Sequence, residues 1–148
     1  MEIILVFLGV FLDRISKIWA LKSLKTGNDI VVIDNFFSFQ YLENRGAAFG
    51  IFQGKVFLLT AVTLLVVIGM IYYLIKYKPN SKVLRLSFAL IISGAIGNLY
   101  DRVFYKYVVD FILLHYRDIY YFPTFNVADM LVVVGTFLLA ICVLREGK

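Results

Sequence analysis

The sequence predicts an all-α membrane protein, with four transmembrane helices and a small β-sheet lying on the outer membrane surface. Three observations carry this. Of 148 residues, 61% are hydrophobic and the mean hydropathy is +0.86, where a soluble domain has about 45–50% apolar residues. Four apolar segments approach the length of a membrane span. Basic residues gather at one set of span ends. At this length one integral-membrane domain, 1–148, is expected.

The first span, 3–21, is interrupted by Asp13, Arg14 and Lys17. It lacks a basic leading region and an A-x-A-like cleavage site, so a retained span is expected rather than a removed signal peptide. The second, 56–75, is uncharged and bounded by Lys55 and Lys76. Twenty residues at about 1.5 Å each cross about 30 Å of hydrocarbon. The third runs over 83–100, with Arg85 near its start. The fourth, 127–144, has an uncharged body from Met130 and extends back to Asn126.

Orientation follows from charge. "KYKPNSK" (76–82) and the tail "REGK" (145–148) lie on one side of a four-span bundle, and that side should be cytoplasmic, with both termini. Two loops, about 22–55 and 101–125, then face outside. In "IVVIDNFFSFQYLEN" (30–44), Phe37, Phe39 and Tyr41 alternate with Ser38, Gln40 and Leu42, which is strand periodicity. The formal net charge of +5 fits a topology signal, and no nucleic-acid partner is expected.

Five stretches could carry chemistry. "SGAIGNLYDR" (93–102) closes span three. Ser93, Gly94, Gly97, Asn98, Asp101 and Arg102 recur at steps of three and four and share one helix face. That face suits either a polar site or close helix packing with an end cap. "NVAD" opens span four, where Asn126 can cap the helix and Asp129 favours the positive end of its dipole. "YKYVVDF" places Asp110 after an apolar pair, where a turn or strand-end role is the simple alternative. Asp13 and Lys17, four apart, suit a structural ion pair tying span one to the bundle. In "ENRGAAFGIF" (43–52), Gly46 leaves room for another backbone and Asn44 could hold it, or the stretch is a tight turn.

Metal and nucleophile options are thin. His115 is the one histidine and has no partner at ligand spacing. Cys142 is the one cysteine and lies deep in an apolar run. No metal and no cofactor is expected. The best reactive pair available is two carboxylates.

"DRISK", "ENRGAAFG", "GAIGNLYDR", "VVDF" and "FPTFNVAD" occur in this order at spacings that resemble the bacterial lipoprotein signal peptidases (signal peptidase II) over nearly the whole chain. The resemblance implies four transmembrane helices, an extracytoplasmic β-cradle and a short, mobile extracytoplasmic helix. It implies aspartic proteolysis without metal in the bacterial cytoplasmic membrane. The substrates would be prolipoproteins with a diacylglyceryl-modified cysteine, cut just before that cysteine. Carried over by motif, Asp110 and Asp129 match the catalytic pair. Asn44, Gly46, Asn98, Asp101, Arg102 and Asn126 match the surroundings of the site, and Asp13 and Lys17 match the polar pair of the first helix. Lys106 and Tyr107 stand where the family often has Gly, and Met130 where Ser is common. Neither departure removes a catalytic group. Prolipoproteins and membrane lipids are the expected partners, and a monomer is expected.

A contrasting reading is a small proton- or cation-coupled carrier subunit using Asp13, Asp101, Asp110 and Asp129. Carriers bind near the midplane on broken helices, whereas three of these four acids fall at one outer rim. A purely structural membrane subunit would leave the clustered motifs unexplained.

Overall fold

The computed structural model describes residues 2–47, 51–117 and 119–146. Four long helices are present: α1 (Glu2–Ser23), α2 (Val56–Tyr77), α3 (Lys82–Phe104) and α4 (Val127–Glu146). Four strands form one antiparallel sheet in the order β1 (Ile30–Ile33), β2 (Phe37–Asn44), β3 (Val108–Tyr116), β4 (Tyr120–Tyr121).

Helix α3 is the hub, packing against α4, α1 and α2. Its small residues explain why. Ser87, Ala89, Ser93, Gly94 and Gly97 are all buried on it, and small side chains let neighbouring backbones close in. Helix α1 buries Gly9, Asp13, Lys17 and Ala20, a stripe at steps of three and four that faces the bundle. Most other α1 residues are apolar, and many are exposed, as at Phe7, Phe11, Ile15 and Ile18. Helix α2 buries only Val67. Such broad exposed apolar surface belongs in lipid, not water.

Helices α2, α3 and α4 are each long and apolar enough to cross a membrane. Helix α1 matches them in length, at 22 residues, but carries Asp13, Arg14 and Lys17 in its middle. Ser81 caps α3, its Oγ accepting from Leu84 N at 3.3 Å. Lys78 closes α2 in a left-handed conformation, its N–H on Leu74 O at 3.2 Å.

The strand periodicity over 37–42 corresponds to β2. The region 101–125 differs from expectation. Helix α3 continues to Phe104, and the expected loop beyond it contains β3 and β4. The protein is therefore mostly helical and not all-α; β3 pairs with β2 from Val108 to Leu114. A strand was hard to see there because "VVDFILLHY" lacks polar alternation. Consecutive residues Val108 to Phe111 are all buried, so both faces are covered, and such strands read as continuous apolar runs; Ile112 is also bridged to Phe125. Among the described residues there is no further helix. Residues 51–54 form turns, and 48–50 lie outside the described residues.

Glycine sets the α3–α4 distance. A Cβ on Gly94 would collide with the carbonyl oxygen of Ala128, and one on Gly97 with the carboxylate of Asp13. Gly69 on α2 has nothing within 4 Å of such an atom. Gly94→Ala should therefore destabilise the bundle by about 1–3 kcal/mol through overpacking, while Gly69→Ala should be neutral or slightly stabilising. Thermal unfolding of both variants in detergent checks this; equal midpoints would refute the close-approach argument.

Candidate functional site

Where α1 meets α3, three charged side chains have no solvent exposure at all: Asp13, Lys17 and Asp101. The Lys17 ammonium lies 3.0 Å from Asp13 Oδ2 and 2.9 Å from Asp101 Oδ2. It also donates to Asn98 Oδ1 at 2.9 Å. A buried ammonium needs compensating charge and acceptors around it, and here two carboxylates and one amide oxygen surround it. Asp13 Oδ1 accepts from Ala128 N at 3.1 Å, in the first turn of α4. Asp101 Oδ2 accepts from Val109 N at 3.1 Å, in β3. The cluster thus ties α1, α3, α4 and β3 together.

The residues after these two anchors are the candidate carboxylates. Asp129 follows Ala128, and Asp110 follows Val109. Asp129 and Asn126 form a reciprocal cap. Asp129 N donates to Asn126 Oδ1 at 2.9 Å, and Asn126 N donates to Asp129 Oδ2 at 3.1 Å. The capping role read from "NVAD" is thus present. It engages only Oδ2, however; Asp129 Oδ1 accepts from Asn98 Nδ2 at 2.7 Å. Asp110 accepts from Asn126 Nδ2 at 2.6 Å and from Asn44 Nδ2 at 2.9 Å. Strand pairing places Asn44 there, because Leu42 and Asn44 stand opposite Asp110 and Val108. Asn126 is therefore bonded to both carboxylates.

Both aspartates line a cleft of about 1080 Å³ with Asn44, Asn98 and Arg102. The cleft continues between the helices along Val62, Val66, Ile91, Val132 and Val133. Arg102 Nη2 donates to Gly46 O at 3.4 Å, and Gly46 N donates to Asn44 Oδ1 at 2.9 Å. A Cβ on Gly46 would approach Ile51 O to 2.7 Å, which fits the close backbone approach expected of that glycine. All ten residues singled out from the sequence thus fall in one connected region. Asp13 and Lys17 support it from behind and do not line the cleft.

Arg14 was missed. The sequence reading treated it only as an interruption of span one. Its Nη1 lies 2.7 Å from Asp101 Oδ1, and its guanidinium sits 4.5 Å above the Tyr100 ring. The signal was available: Arg14 and Lys17 are three apart and share a helix face. Among the described residues no group of three His, Cys, Asp or Glu is placed to hold a metal ion.

Electrostatics separate the two carboxylates. Burial, and then the neighbouring Asp129 charge, push the Asp110 carboxyl up to about 7, against the opposing pull of the Asn44 and Asn126 amides. The folded protein therefore holds a proton on Asp110 between 3.8 and about 7, where the unfolded chain has lost it. Stability contributed by this site falls as pH rises across that window and is level above it. Asp110→Asn removes the titration, and its mismatched amide donor adds a loss that is constant with pH. The melting temperature of Asp110→Asn relative to the unmodified protein should thus rise between pH 4 and pH 7.5. A pH-independent difference would refute the raised value.

Comparison with known proteins identifies the family. The family described as Signal peptidase (SPase) II matches residues 5–145. The chain is 66% identical to the lipoprotein signal peptidase of Clostridium novyi, covering all of both chains. It is 61% identical to that of Clostridium acetobutylicum, covering 100% of this chain and 97% of the relative. A solved bacterial membrane enzyme superposes with a TM-score of 0.90 at 31% identity, covering 99% of this chain and 89% of that one. A second such enzyme gives 0.85 at 32% identity, covering 98% and 93%. With nearly its whole length matched by sequence and by fold, the chain belongs to the signal peptidase II family.

Proposed function

We propose that this peptidase is a membrane aspartic endopeptidase that removes the signal peptide from prolipoproteins by cutting just before a diacylglyceryl-modified cysteine. The observation that carries the reading is the meeting of Asp110 and Asp129 at one cleft, both bonded to Asn126. Relatives of the chain are named lipoprotein signal peptidases.

Two neighbouring carboxylates do not both ionise cheaply, so they share one proton. Burial favours Asp110 as its holder. Ionised Asp129 takes a proton from a water between the pair. That water attacks the scissile carbonyl carbon, and Asp110 donates its proton to the carbonyl oxygen as negative charge develops there. When the tetrahedral intermediate collapses, Asp129 returns its proton to the leaving amine, the C–N bond breaks, and the re-forming carbonyl gives its hydroxyl proton back to Asp110. No covalent enzyme intermediate is required. Asn98 and Asn44 hold the two carboxylates in place, and Arg102 is suited to hold the substrate backbone. The apolar continuation of the cleft suits acyl chains.

In this reading α1 is the fourth span. Its charges are neutralised inside the bundle, and its outward residues are apolar. The basic turn and tail support cytoplasmic termini and an extracytoplasmic site. The carrier reading finds no support. Asp13 and Asp101 are locked in ion pairs, and the four helices run unbroken.

Asp110→Asn and Asp129→Asn should each lower single-turnover cleavage of a lipid-modified prolipoprotein by on the order of 10³-fold or more, with the double variant little worse. Asn ranks with Asp as a helix cap, so substantial activity in Asp129→Asn would return that residue to a capping role alone. Arg102→Lys should lower cleavage about ten-fold or more, because an ammonium cannot reproduce a planar fork that makes charged hydrogen bonds. Unchanged cleavage rates in Arg102→Lys would leave that site with a need for charge at most.

A further inference from the structure

A second cavity, of about 570 Å³, lies at the opposite end of the bundle from the carboxylate pair. It is a groove between α1, α2 and α3, with Val6, Phe7, Leu74, Ile75, Ile92 and Ile96 on its walls. Its polar lining consists of Glu2, Lys78 and Arg85. These three gather where α1 and α3 begin and α2 ends. Arg85 Nη2 pairs with Glu2 Oε2 at 2.8 Å, so one acid faces two bases. The hydrogen bond from Lys78 N to Leu74 O fixes the backbone of the second base at this mouth.

We propose that this groove binds one acyl chain of an anionic phospholipid, with the lipid phosphate held by Lys78 and Arg85. Length supports this occupant. From Arg85 to Ile96 the groove follows eleven steps of α3, about 16 Å at helical rise. One leaflet contributes half of the ~30 Å hydrocarbon core, so the groove has the depth of a single leaflet. Charge supports it too. The basic end carries a positive excess where a headgroup would lie, and Lys76 and Lys82 flank the same turn. By the proposed orientation this is the cytoplasmic leaflet, where anionic lipids meet basic residues near helix ends. The site is separate from the cleft, and it does not depend on the chemistry assigned there.

Native mass spectrometry of the full chain in mild detergent tests this, with equal amounts of phosphatidylglycerol and phosphatidylcholine of the same acyl composition. The expected result is one retained phosphatidylglycerol per chain, favoured about five-fold or more over phosphatidylcholine, whose choline cation offsets its phosphate charge; the factor corresponds to about 1 kcal/mol for one basic residue beside a net anionic headgroup. Lys78→Gln should remove most of that preference. Ile75→Trp, which fills the groove, should lower retention of both lipids. Lys22→Gln, exposed near the other end of α1, should leave retention as in the unmodified protein. Equal retention of the two lipids, an undiminished preference in Lys78→Gln, or a second protein chain in place of lipid would each overturn the proposal. Because the readout is bound lipid and not cleavage, its failure and that of the peptidase reading are distinguishable.

Discussion

The structure depends on the ammonium of Lys17, the one buried lysine among the described residues. A charge moved from water into a protein interior costs several kcal/mol, and removing one partner from a buried pair costs about 3–5 kcal/mol. Lys17 offsets its cost with Asp13, Asp101 and Asn98. The partners are not idle in return. Asp13 holds the first turn of α4, Asp101 holds β3, and Asn98 holds Asp129. One ammonium on α1 thereby ties together α3, α4 and β3, three of the elements that border the cleft. The cluster also neutralises the charges within α1, leaving that helix an apolar outer face.

From this frame the two carboxylates are placed by adjacency. Asp110 and Asp129 are each one residue beyond a backbone N–H that the buried acids hold. Asn126 then connects them, its side chain bonding Asp110 and its backbone bonding Asp129. The buried Nδ2 also lies 3.2 Å from Asn98 Oδ1 and 3.3 Å from Val109 O. Such a connected polar network, once satisfied, holds one geometry and tolerates few others. The consequence is a pair whose members differ: Asp110 is buried and raised to about 7, whereas Asp129 is partly exposed to the cleft. Different surroundings for two similar acids are what acid–base chemistry requires.

The helix cap at Asp129 shows that a structural and a chemical role can share one side chain. The cap uses Oδ2, fixing the rotamer and the height of the carboxylate at the end of α4. Oδ1 faces Asn98 and the cleft. Gly94 and Gly97 contribute in the same way from α3. Their missing side chains let α4 and α1 approach, which brings Asn98 within reach of both Lys17 and Asp129.

The sequence by itself determined the apolar helices, the strand periodicity over 37–42 and which ten residues were candidates for the site. Those signals are local: an uncharged twenty-residue run, period-two alternation and motifs readable without knowing what lies opposite. Arg14 and β3 were not legible, for a shared physical reason. The role of Arg14 depends on Asp101, 87 residues away in the chain. Strand β3 is a strand because β2 and Phe125 lie beside it, not because its own sequence alternates. Likewise, the raised Asp110 carboxyl follows from burial and from a charge on another element. Only the tertiary structure decided these, because desolvation and ion pairing depend on what surrounds a group in space, and no stretch of chain specifies its own surroundings.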